Sequence, residues 1–408
     1  MKNIAIIGGG ASGLFCAIQL LSCENPPKVT IYEKMSRVGK KLLSTGNGRC
    51  NITNENAENL NHYYGENIDF ARYSLSNFNP EALINYFNKN GLILRKEDDK
   101  YYPYSEQAGT VLDFLRFKCE MLGAVILTDT KVEKIEIKKD KFSVNNSIFD
   151  KVVIAGGGKS SPHLGSDGSA YPLLEKFGHK KTRLYPAITQ IKTDTEFVKQ
   201  LKGIKFDSTL TVFVDNKPIR SEFGQVLFTD YGISGPPAFQ LSAIAAKNYE
   251  KDCFVTLDFM SDKTFNEIEA LINGILENPY TYPLTAENLL SILINKRLGQ
   301  IIVKYSGFSL GFDAYQLSKK DISILINSIK NFKIKVKGVN GFNNAQITYG
   351  GISTRDFNPE TLESKLKKGV YACGEVLDVN GDCGGFNLQW AFSSAYTVAE
   401  AIKGETND

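Results

Sequence analysis

The sequence predicts an α/β protein whose parallel sheet is built from both ends of the chain and interrupted by a long insertion. Residues 3–33 run as an apolar strand, a glycine turn, an apolar helix and a second strand, which is the βαβ pattern. Apolar strands at residues 152–155 and 370–373 are each followed by glycines. Between them, from about Ala187, strand patterns and then helical patterns replace the α/β alternation.

The elements of the first part follow from periodicity and from helix-end signals. Residues 3–7 are a continuous apolar run, typical of a strand buried in a parallel sheet. Asn79 and Pro80 mark the start of a helix that Gly91 ends. Further helices are predicted at 11–21, 107–122 and 168–178, and strands at 28–33, 131–137, 141–144, 147–149 and 152–155.

The insertion has a strand-rich part and a helical part. Asp215, Asn216 and Lys217 mark a hairpin turn. Strands are predicted at 188–191, 209–214 and 253–259, helices at 265–276, 286–294 and 317–329, and a final long helix at 387–402. We therefore predict three domains: 1–187 with 341–408, 188–262 with 331–340, and 263–330.

Composition excludes several classes of protein. The chain has 408 residues with 42% hydrophobic and 23% charged residues and a net charge of +3, too small to indicate nucleic acid as the main partner. Seven cysteines without a C-x-x-C pair and three histidines argue against a metal cluster and for free thiols in a reducing cytoplasm. No run reaches the ~18 apolar residues of a membrane span, and the glycines at 8–13 distinguish the apolar N-terminus from a signal peptide.

The first motif, G-x-G-x-x-G at Gly8, Gly10 and Gly13, joins the first strand to its helix. In a dinucleotide site these glycines allow the tight turn, the approach of a pyrophosphate and close helix packing. Glu33 follows Gly13 by 20 residues, at the end of the second strand. A carboxylate there accepts ribose hydroxyls and repels a 2′-phosphate, so a dinucleotide other than NADP is predicted.

The second and third motifs are glycine loops. Residues 39–51 follow Glu33 directly, and their glycines, cations, amides and hydroxyls favour FAD over NAD, because such a loop can wrap the distal half of a longer cofactor. Gly158, Lys159 and Ser160 match the end of a P-loop. The P-loop rule also requires glycine where Val153 stands, so these residues are assigned to a strand end beside the cofactor instead.

The fourth motif lies near the C-terminal end. Gly374 and Glu375 follow a strand, and Gly385 and Asn387 open the last helix. An acid after a strand can bind ribityl hydroxyls. A helix N-terminus directed at the flavin N1–C2=O edge would stabilise the anionic reduced flavin.

These motifs together resemble those of the BaiN/YhiN-type flavoproteins, also described as the aminoacetone-oxidase family of FAD-binding enzymes. Phe386 departs from the tyrosine common at that position in the family, which removes one hydroxyl. The matching stretches are IAIIGGGASGL, GKKLLSTGNGRCNITN, VVIAGGGKSSPHLGSDGSAY, LFTDYGISGPPAFQLS, ITYGGISTRDFNPETLESK and GVYACGEVLDVNGDCGGFNLQWAFSSAY.

The resemblance implies a Rossmann-like FAD-binding domain of the two-dinucleotide-binding type, with an inserted β-barrel-like domain and a small helical domain. It also implies non-covalent FAD. The predicted cofactor-binding residues are Gly8, Gly10, Ala11, Ser12, Gly13, Glu33, Lys34, Lys41, Gly48, Arg49, Cys50, Asn51, Val132, Gly157, Gly374, Glu375, Gly385, Asn387 and Leu388.

Candidates for catalysis are few. Cys50 could be a redox thiol, but without a neighbouring cysteine a packing role is favoured. Arg49 could pair with flavin oxygens or with a substrate anion, but orienting the 46–51 loop is favoured. His163 could act as a general acid, and Tyr231 could donate a proton.

The sequence thus indicates a cytoplasmic FAD-dependent oxidoreductase acting on a small molecule. We expect hydride to pass from NAD(P)H through flavin N5 to an acceptor such as an activated C=C. Since there is no second G-x-G-x-x-G, NAD(P)H would bind transiently. Alternatives are an amine-type oxidase that uses O₂, and a non-catalytic flavin-stabilised RNA-binding or redox-sensing protein. For the last, the basic stretch from Lys319 to Lys337 is better explained as a solvated helix surface.

Overall fold

The computed structural model describes residues 2–278 and 283–405. The chain divides into two compact units. The first unit contains the residues up to Pro186 and those from Phe342 onward, and the second unit is Ala187–Gly341. The finer division into three domains stays a prediction.

Strands and helices follow one another along the chain as two numbered series. The strands are β1 (Asn3–Ile7), β2 (Lys28–Tyr32), β3 (Thr53–Asn54), β4 (Tyr63–Tyr64), β5 (Leu94–Glu97), β6 (Lys100–Pro103), β7 (Val125–Leu127), β8 (Ile135–Lys138), β9 (Lys141–Val144), β10 (Ser147–Phe149), β11 (Lys151–Ile154), β12 (Tyr185–Ala187), β13 (Ile191–Thr193), β14 (Lys205–Val214), β15 (Lys217–Phe228), β16 (Gly232–Ser234), β17 (Cys253–Asp258), β18 (Phe332–Val339), β19 (Ile347–Tyr349), β20 (Val370–Ala372) and β21 (Asn380–Gly381). The α-helices are α1 (Ala11–Leu21), α2 (Arg72–Asn77), α3 (Pro80–Lys89), α4 (Ala108–Met121), α5 (Tyr171–Glu175), α6 (Pro236–Asn248), α7 (Phe265–Glu277), α8 (Ala286–Leu293), α9 (Lys296–Tyr305), α10 (Lys319–Lys330) and α11 (Phe386–Gly404).

The core of the first unit is a five-stranded parallel sheet in the order β20-β11-β1-β2-β7. Ile7 pairs with Ile154, and Ile154 pairs with Ala372, so three strands end side by side. Glycine loops follow all three strands, and the parallel register therefore gathers them at one edge of the sheet. The predicted Rossmann-like α/β class is confirmed.

Helix α1 packs against α11 because both helices present wide apolar surfaces. Phe15 of α1 meets Phe392 of α11 edge to face, with ring centroids 5.1 Å apart. Both rings are fully buried in the same hydrophobic cluster as Ile4 and Ile6 of β1. The packing of α1 on α11 joins the N-terminal βαβ unit to the C-terminal end of the chain.

The second unit contains a closed six-stranded barrel in the order β13-β16-β15-β14-β17-β18. The predicted β-barrel-like insertion is confirmed. Barrel residues such as Val255 and Leu257 share one hydrophobic cluster with Ile268 of α7 and Ile326 of α10. The barrel and the helical part of the insertion therefore have a common core.

Several sequence predictions were wrong in detail. The predicted strand 131–137 begins only at Ile135, and β7 was missed before it. Helix α6 was also missed, because Pro236 and Pro237 suggest a break. Here proline occupies the first turn of the helix, where its missing N–H has no helical partner to lose. Among the described helices, none combines the length and apolarity that a membrane span needs.

Candidate cofactor site

The turn between β1 and α1 has the close packing that its glycines predict. Gly8 donates its N–H to the Tyr32 carbonyl at 2.8 Å. A methyl group added to Gly13 would lie 2.0 Å from the Gly8 oxygen, whereas one added to Gly10 would meet no atom within 4 Å. Gly10 therefore leaves open space at the helix start. Because Gly10 has no side chain to cap α1, the first-turn N–H groups around Ala11 and Ser12 are left for a ligand.

The Glu33 carboxylate is fixed against this turn. Its Oε2 accepts a hydrogen bond from the Gly9 N–H at 2.9 Å, and its Oε1 accepts one from Met35 at 2.8 Å. Gly9 in turn accepts a hydrogen bond from Gly39 at 2.9 Å. The turn that contains the glycine motif thus orients the Glu33 carboxylate, and each carboxylate oxygen keeps a lone pair for a ribose hydroxyl. We call residues 3–33 the adenosine-end segment.

Two predicted cofactor residues from opposite ends of the chain form an ion pair. Lys41 Nζ lies 2.7 Å from Glu375 Oε2, and Glu375 Oε1 accepts the Thr348 N–H at 2.9 Å. Lys41 also donates to Ser166 Oγ at 3.4 Å, and a methyl group on Gly157 would lie 3.3 Å from that oxygen. The structure therefore brings Lys41, Gly157 and Glu375 together.

Lys34 forms an ion pair within the protein, and its contact with FAD stays a prediction. Its Nζ pairs with Asp167 and donates to Ser169 Oγ at 2.8 Å. Burial opposes ionisation of Asp167, but the hydrogen bonds from Lys34 and Ser169 outweigh it and lower the pKa of that carboxyl to about 2. The Lys34 charge is thus compensated within the protein.

At the start of α11, residues from both ends of the chain meet again. Gly385 has φ +102°, and a methyl group on it would lie 2.5 Å from the Thr53 carbonyl carbon and 3.0 Å from Asn51 Oδ1. Asn54 Nδ2 donates to the Gly384 carbonyl at 3.1 Å. We call Asn51, Thr53, Gly384 and Gly385 the flavin-end cluster. Only glycine fits at Gly385.

The flavin-end cluster holds an unsatisfied polar atom. Asn51 is 8% exposed, and its Oδ1 has no hydrogen-bond partner within the described residues. Gly385 caps α11 without a side-chain hydrogen bond, so the helix begins with unpaired N–H groups beside that oxygen. Buried polar atoms normally have partners, so this arrangement fits a bound polar group.

Gly374 joins the two helix starts. A methyl group on Gly374 would lie 2.6 Å from Ser12 Oγ of α1. The Gly374 N–H donates to Ser394 Oγ at 2.9 Å, and its carbonyl accepts the Trp390 indole N–H at 3.1 Å, both from α11. The strand end at Gly374 is thereby fixed between α1 and α11.

The structure shows the surroundings of three more predicted FAD contacts, which themselves stay predictions. The Asn387 side chain accepts from the Gly381 N–H at 2.9 Å and donates to the Gly381 carbonyl at 2.8 Å, so it stabilises the loop before α11. Leu388 packs against the hydrophobic core. Val132 is buried but precedes β8, so a strand contact from it to adenine does not follow from this structure.

Each of the four catalytic candidates has its own surroundings in the structure. Cys50 is fully buried. Burial raises the pKa of its thiol to about 12, although a hydrogen bond with Thr45 acts to lower that pKa. Arg49, beside Gly48, pairs with Glu97 at 2.5 Å and Glu106 at 3.2 Å, an arrangement that orients its loop. His163 is exposed in a short turn. Tyr231 belongs to the second unit, where its hydroxyl accepts from Asn340 at 3.3 Å. Within the described residues no three potential ligands form a metal site.

Sequence reasoning missed His62. Its Nδ1 lies 3.1 Å from Asp382 Oδ2, and its ring stacks on Phe386 with centroids 4.5 Å apart. His62 belongs to no motif, and its partner is 320 residues away in sequence. Only the pairing of β4 with β21, which matches Tyr63 with Gly381, brings the two together.

These features define the class of protein. An open helix start at Gly10, a fixed acid at Glu33 and an unsatisfied amide oxygen at Asn51 fit a dinucleotide that carries a flavin. The fold is the Rossmann-type FAD-binding flavoprotein fold.

Comparison with known proteins gives the family. Residues 2–401 match the family described as "HI0933-like protein Rossmann domain". The chain is 35% identical to the 3-dehydro-bile acid delta(4,6)-reductase of Clostridium scindens, over 98% of this chain and 99% of that protein. It is 31% identical to the ribosomal RNA dihydrouridine synthase of Haemophilus influenzae, over 98% of each. The chain therefore belongs to the HI0933-like family, and its resemblance to the BaiN/YhiN-type flavoproteins is confirmed.

A solved structure agrees with the fold. The 3-ketosteroid delta1-dehydrogenase of Sterolibacterium denitrificans aligns with a TM-score of 0.51 and 11% identity, over 99% of this chain and 100% of that one. Family and fold together support an FAD-type flavin oxidoreductase.

Proposed function

We propose that this protein is an FAD-dependent reductase that uses NAD(P)H to saturate a C=C bond conjugated with a carbonyl group. The observation that carries the proposal is a chemistry shared by two relatives that match nearly the whole chain. The delta4 double bond of a 3-dehydro steroid is conjugated with its 3-ketone. Dihydrouridine is uridine whose ring C=C, next to a carbonyl, has been reduced. Both relatives are thus named for saturating an activated double bond.

The residues of the first unit suit this chemistry. The α1 start at Gly10 would receive the pyrophosphate, and Glu33 would accept ribose hydroxyls. Bound FAD would supply two-electron hydride chemistry. The unpaired N–H groups at the start of α11 and the Asn51 side chain would meet the polar edge of the ring, and a helix N-terminus there favours negative charge on a reduced ring.

The hydride donor is proposed as free NADH or NADPH that binds only for the transfer. The sequence has one G-x-G-x-x-G, at Gly8, Gly10 and Gly13, and Glu33 ends the second strand of the same βαβ unit. A resident nicotinamide domain would need a second such turn. A transient donor requires no further dinucleotide fold.

The acceptor has two candidate classes, a free enone and a uridine within RNA. The sequence argued against a nucleic-acid partner, but a relative named for ribosomal RNA reopens the question. Strand β18 exposes Lys333, Lys335 and Lys337 in alternation. Lys337 pairs with Asp194, whereas Lys333 and Lys335 form no salt bridge with the described residues. Such a row of lysines can contact phosphates.

The test is an anaerobic titration of the purified yellow protein. NADH or NADPH should bleach the flavin, and a 3-oxo-4,6-diene steroid or uridine-containing RNA should restore its colour faster than air does. Rapid reoxidation by O₂ with peroxide formation would instead favour the oxidase alternative. Absence of bleaching by either nucleotide would favour the non-catalytic alternative. As a control on the cofactor site, Glu33→Ala should purify with little flavin, because its carboxylate is the predicted ribose ligand.

A further inference from the structure

We propose that His62, oriented by Asp382, is the acid that protonates the acceptor carbon next to the carbonyl. The inference rests on the proposed function, since only the reduction of a conjugated C=C needs a proton at that carbon. It assigns a role to a pair of residues that belongs to none of the cofactor motifs.

The pair is fixed by backbone and side-chain contacts together. Asp382 donates its backbone N–H to the His62 carbonyl at 2.9 Å, which continues the pairing of β4 with β21. The Asp382 side chain is 3% exposed, and its Oδ2 lies 3.1 Å from His62 Nδ1. The Tyr64 hydroxyl donates to the same oxygen at 3.5 Å. A carboxylate held this way selects the tautomer with a proton on Nδ1 and orients the ring.

The side of the His62 ring that faces away from Asp382 is accessible. The His62 side chain is 36% exposed. Its Nε2 has no hydrogen-bond partner within the described residues, so that atom is left to exchange a proton with a ligand or water. The ring stacks on Phe386, the first residue of α11, at an interplanar angle of 27°. Gly385, the neighbour of Phe386, contacts Asn51 and Thr53. His62 therefore sits directly beside the flavin-end cluster.

Two thiols and one phenol near the start of α11 are poorer acids for this step. The Cys50 thiol is fully buried, and burial raises its pKa to about 12. Burial also raises the pKa of the Cys383 thiol. The Tyr63 hydroxyl is buried and donates to the Ala57 carbonyl at 2.8 Å. His62 is the donor that the geometry favours, because Asp382 orients its ring and its side chain is partly exposed beside Phe386.

Bound reduced FAD would supply the hydride for a C–H bond at the carbon farther from the carbonyl, and the two π electrons of the C=C would then move toward the carbonyl. The proton on protonated His62 Nε2 forms the second C–H bond at the nearer carbon, using that electron pair. In total the acceptor gains one hydride, which carries two electrons, and one proton from His62. The cofactor would be oxidised, and neutral His62 would regain its proton from water.

The experiment compares His62→Gln, Asp382→Asn and the control Asn61→Gln, whose side chain is exposed in the same turn. FAD content and affinity are measured first. The flavin is then reduced with dithionite, and its reoxidation is followed with an acceptor that the wild-type protein uses. We expect normal FAD affinity in all three. Reoxidation should slow about 100-fold for His62→Gln and about 10-fold for Asp382→Asn, and the control should match the wild type.

Two further readouts separate an acid from a structural residue. Added imidazole should restore reoxidation in His62→Ala, because it can occupy the vacated space and carry the proton. In the oxidised wild-type protein, a saturated ketone analogue should protect His62 from acylation by diethylpyrocarbonate, as mapped by mass spectrometry. This second measurement needs no turnover.

The outcomes are distinguishable. If the wild-type flavin is reoxidised by neither enone nor RNA, the proposed function is wrong and this inference falls with it. If the wild type reacts and His62→Gln reacts at the same rate, only the inference is overturned. If His62→Gln loses FAD and imidazole does not rescue His62→Ala, His62 is structural and the inference is also overturned.

Discussion

The two ends of the candidate cofactor site are built in different ways. The adenosine-end segment is contiguous, and its contacts, such as the hydrogen bond from Gly9 to Glu33, join residues 24 apart. The flavin-end cluster is held by contacts such as that from Thr53 Oγ1 to Gln389 Oε1, which joins residues 336 apart at 2.5 Å. The first is a supersecondary motif, whereas the second exists only once the chain is folded.

This difference determines how substitutions at each end of the site should affect stability and FAD binding. In the adenosine-end segment, the glycines have separate duties, because Gly13 packs against backbone and Gly10 faces open space. In the flavin-end cluster, packing and ligand binding depend on the same residues. Gly385 both supports the loop at Thr53 and begins the helix that would meet the cofactor. A substitution there cannot separate stability from binding.

The largest effect should come from paired substitutions in the adenosine-end segment. Gly13→Ala puts a methyl group 2.0 Å from the Gly8 oxygen, and backbone cannot yield as a side chain can. We expect a loss of about 3 kcal/mol in the free energy of unfolding of the FAD-free protein, measured by urea denaturation. Gly10→Ala should leave that value within about 0.5 kcal/mol but weaken FAD binding roughly tenfold. Equal destabilisation by both would refute the division of duties.

A smaller effect should follow from Gln389→Leu, because Gln389 supports Thr53 of the flavin-end cluster. Gln389 is fully buried, accepts from Thr53 Oγ1, and donates to the Phe78 carbonyl at 2.8 Å. Leucine would remove the acceptor of the Thr53 hydroxyl and one of the two donors to the Phe78 carbonyl, which keeps Ser393 Oγ at 2.6 Å, so we expect a cost of about 2 kcal/mol. FAD affinity, measured by fluorescence titration, should fall with it. The control Gln225→Leu, at an exposed strand position, should change neither. Normal FAD affinity in a destabilised Gln389→Leu protein would show that the cluster's two roles are separable.

The smallest effect should come from Cys50. Because burial raises the pKa of the thiol to about 12, it stays protonated, and iodoacetamide should label it slowly from pH 7 to pH 9. In urea its pKa returns to about 8.5, so labelling should become rapid over the same range. Partly exposed Cys23 serves as the internal control. Cys50→Ala should keep turnover within about twofold of the wild type. Rapid labelling of native Cys50 at pH 8 would contradict this prediction and support a redox role for the thiol.

Much of the fold could be predicted because its signals are local. Helix 11–21 and strand 3–7 were predicted with their observed ends. The Asn79 cap and Pro80 start of α3 were also predicted, and the structure has the Asn79 side chain accepting from Ala82 at 3.0 Å. Helix α6 was missed because its proline start resembles a break, and strand β7 because three residues carry too little periodicity.

The sequence by itself determined the βαβ unit, its glycine turn, the acid at Glu33 and the family, because each depends on residues close together or on contiguous motifs. Only the tertiary structure decided that Lys41 pairs with Glu375 and that Lys34 pairs with Asp167. It also decided that His62 meets Asp382. The physical reason is that side-chain partners hundreds of residues apart are selected by strand register and helix packing, which leave no periodic trace in the sequence between them.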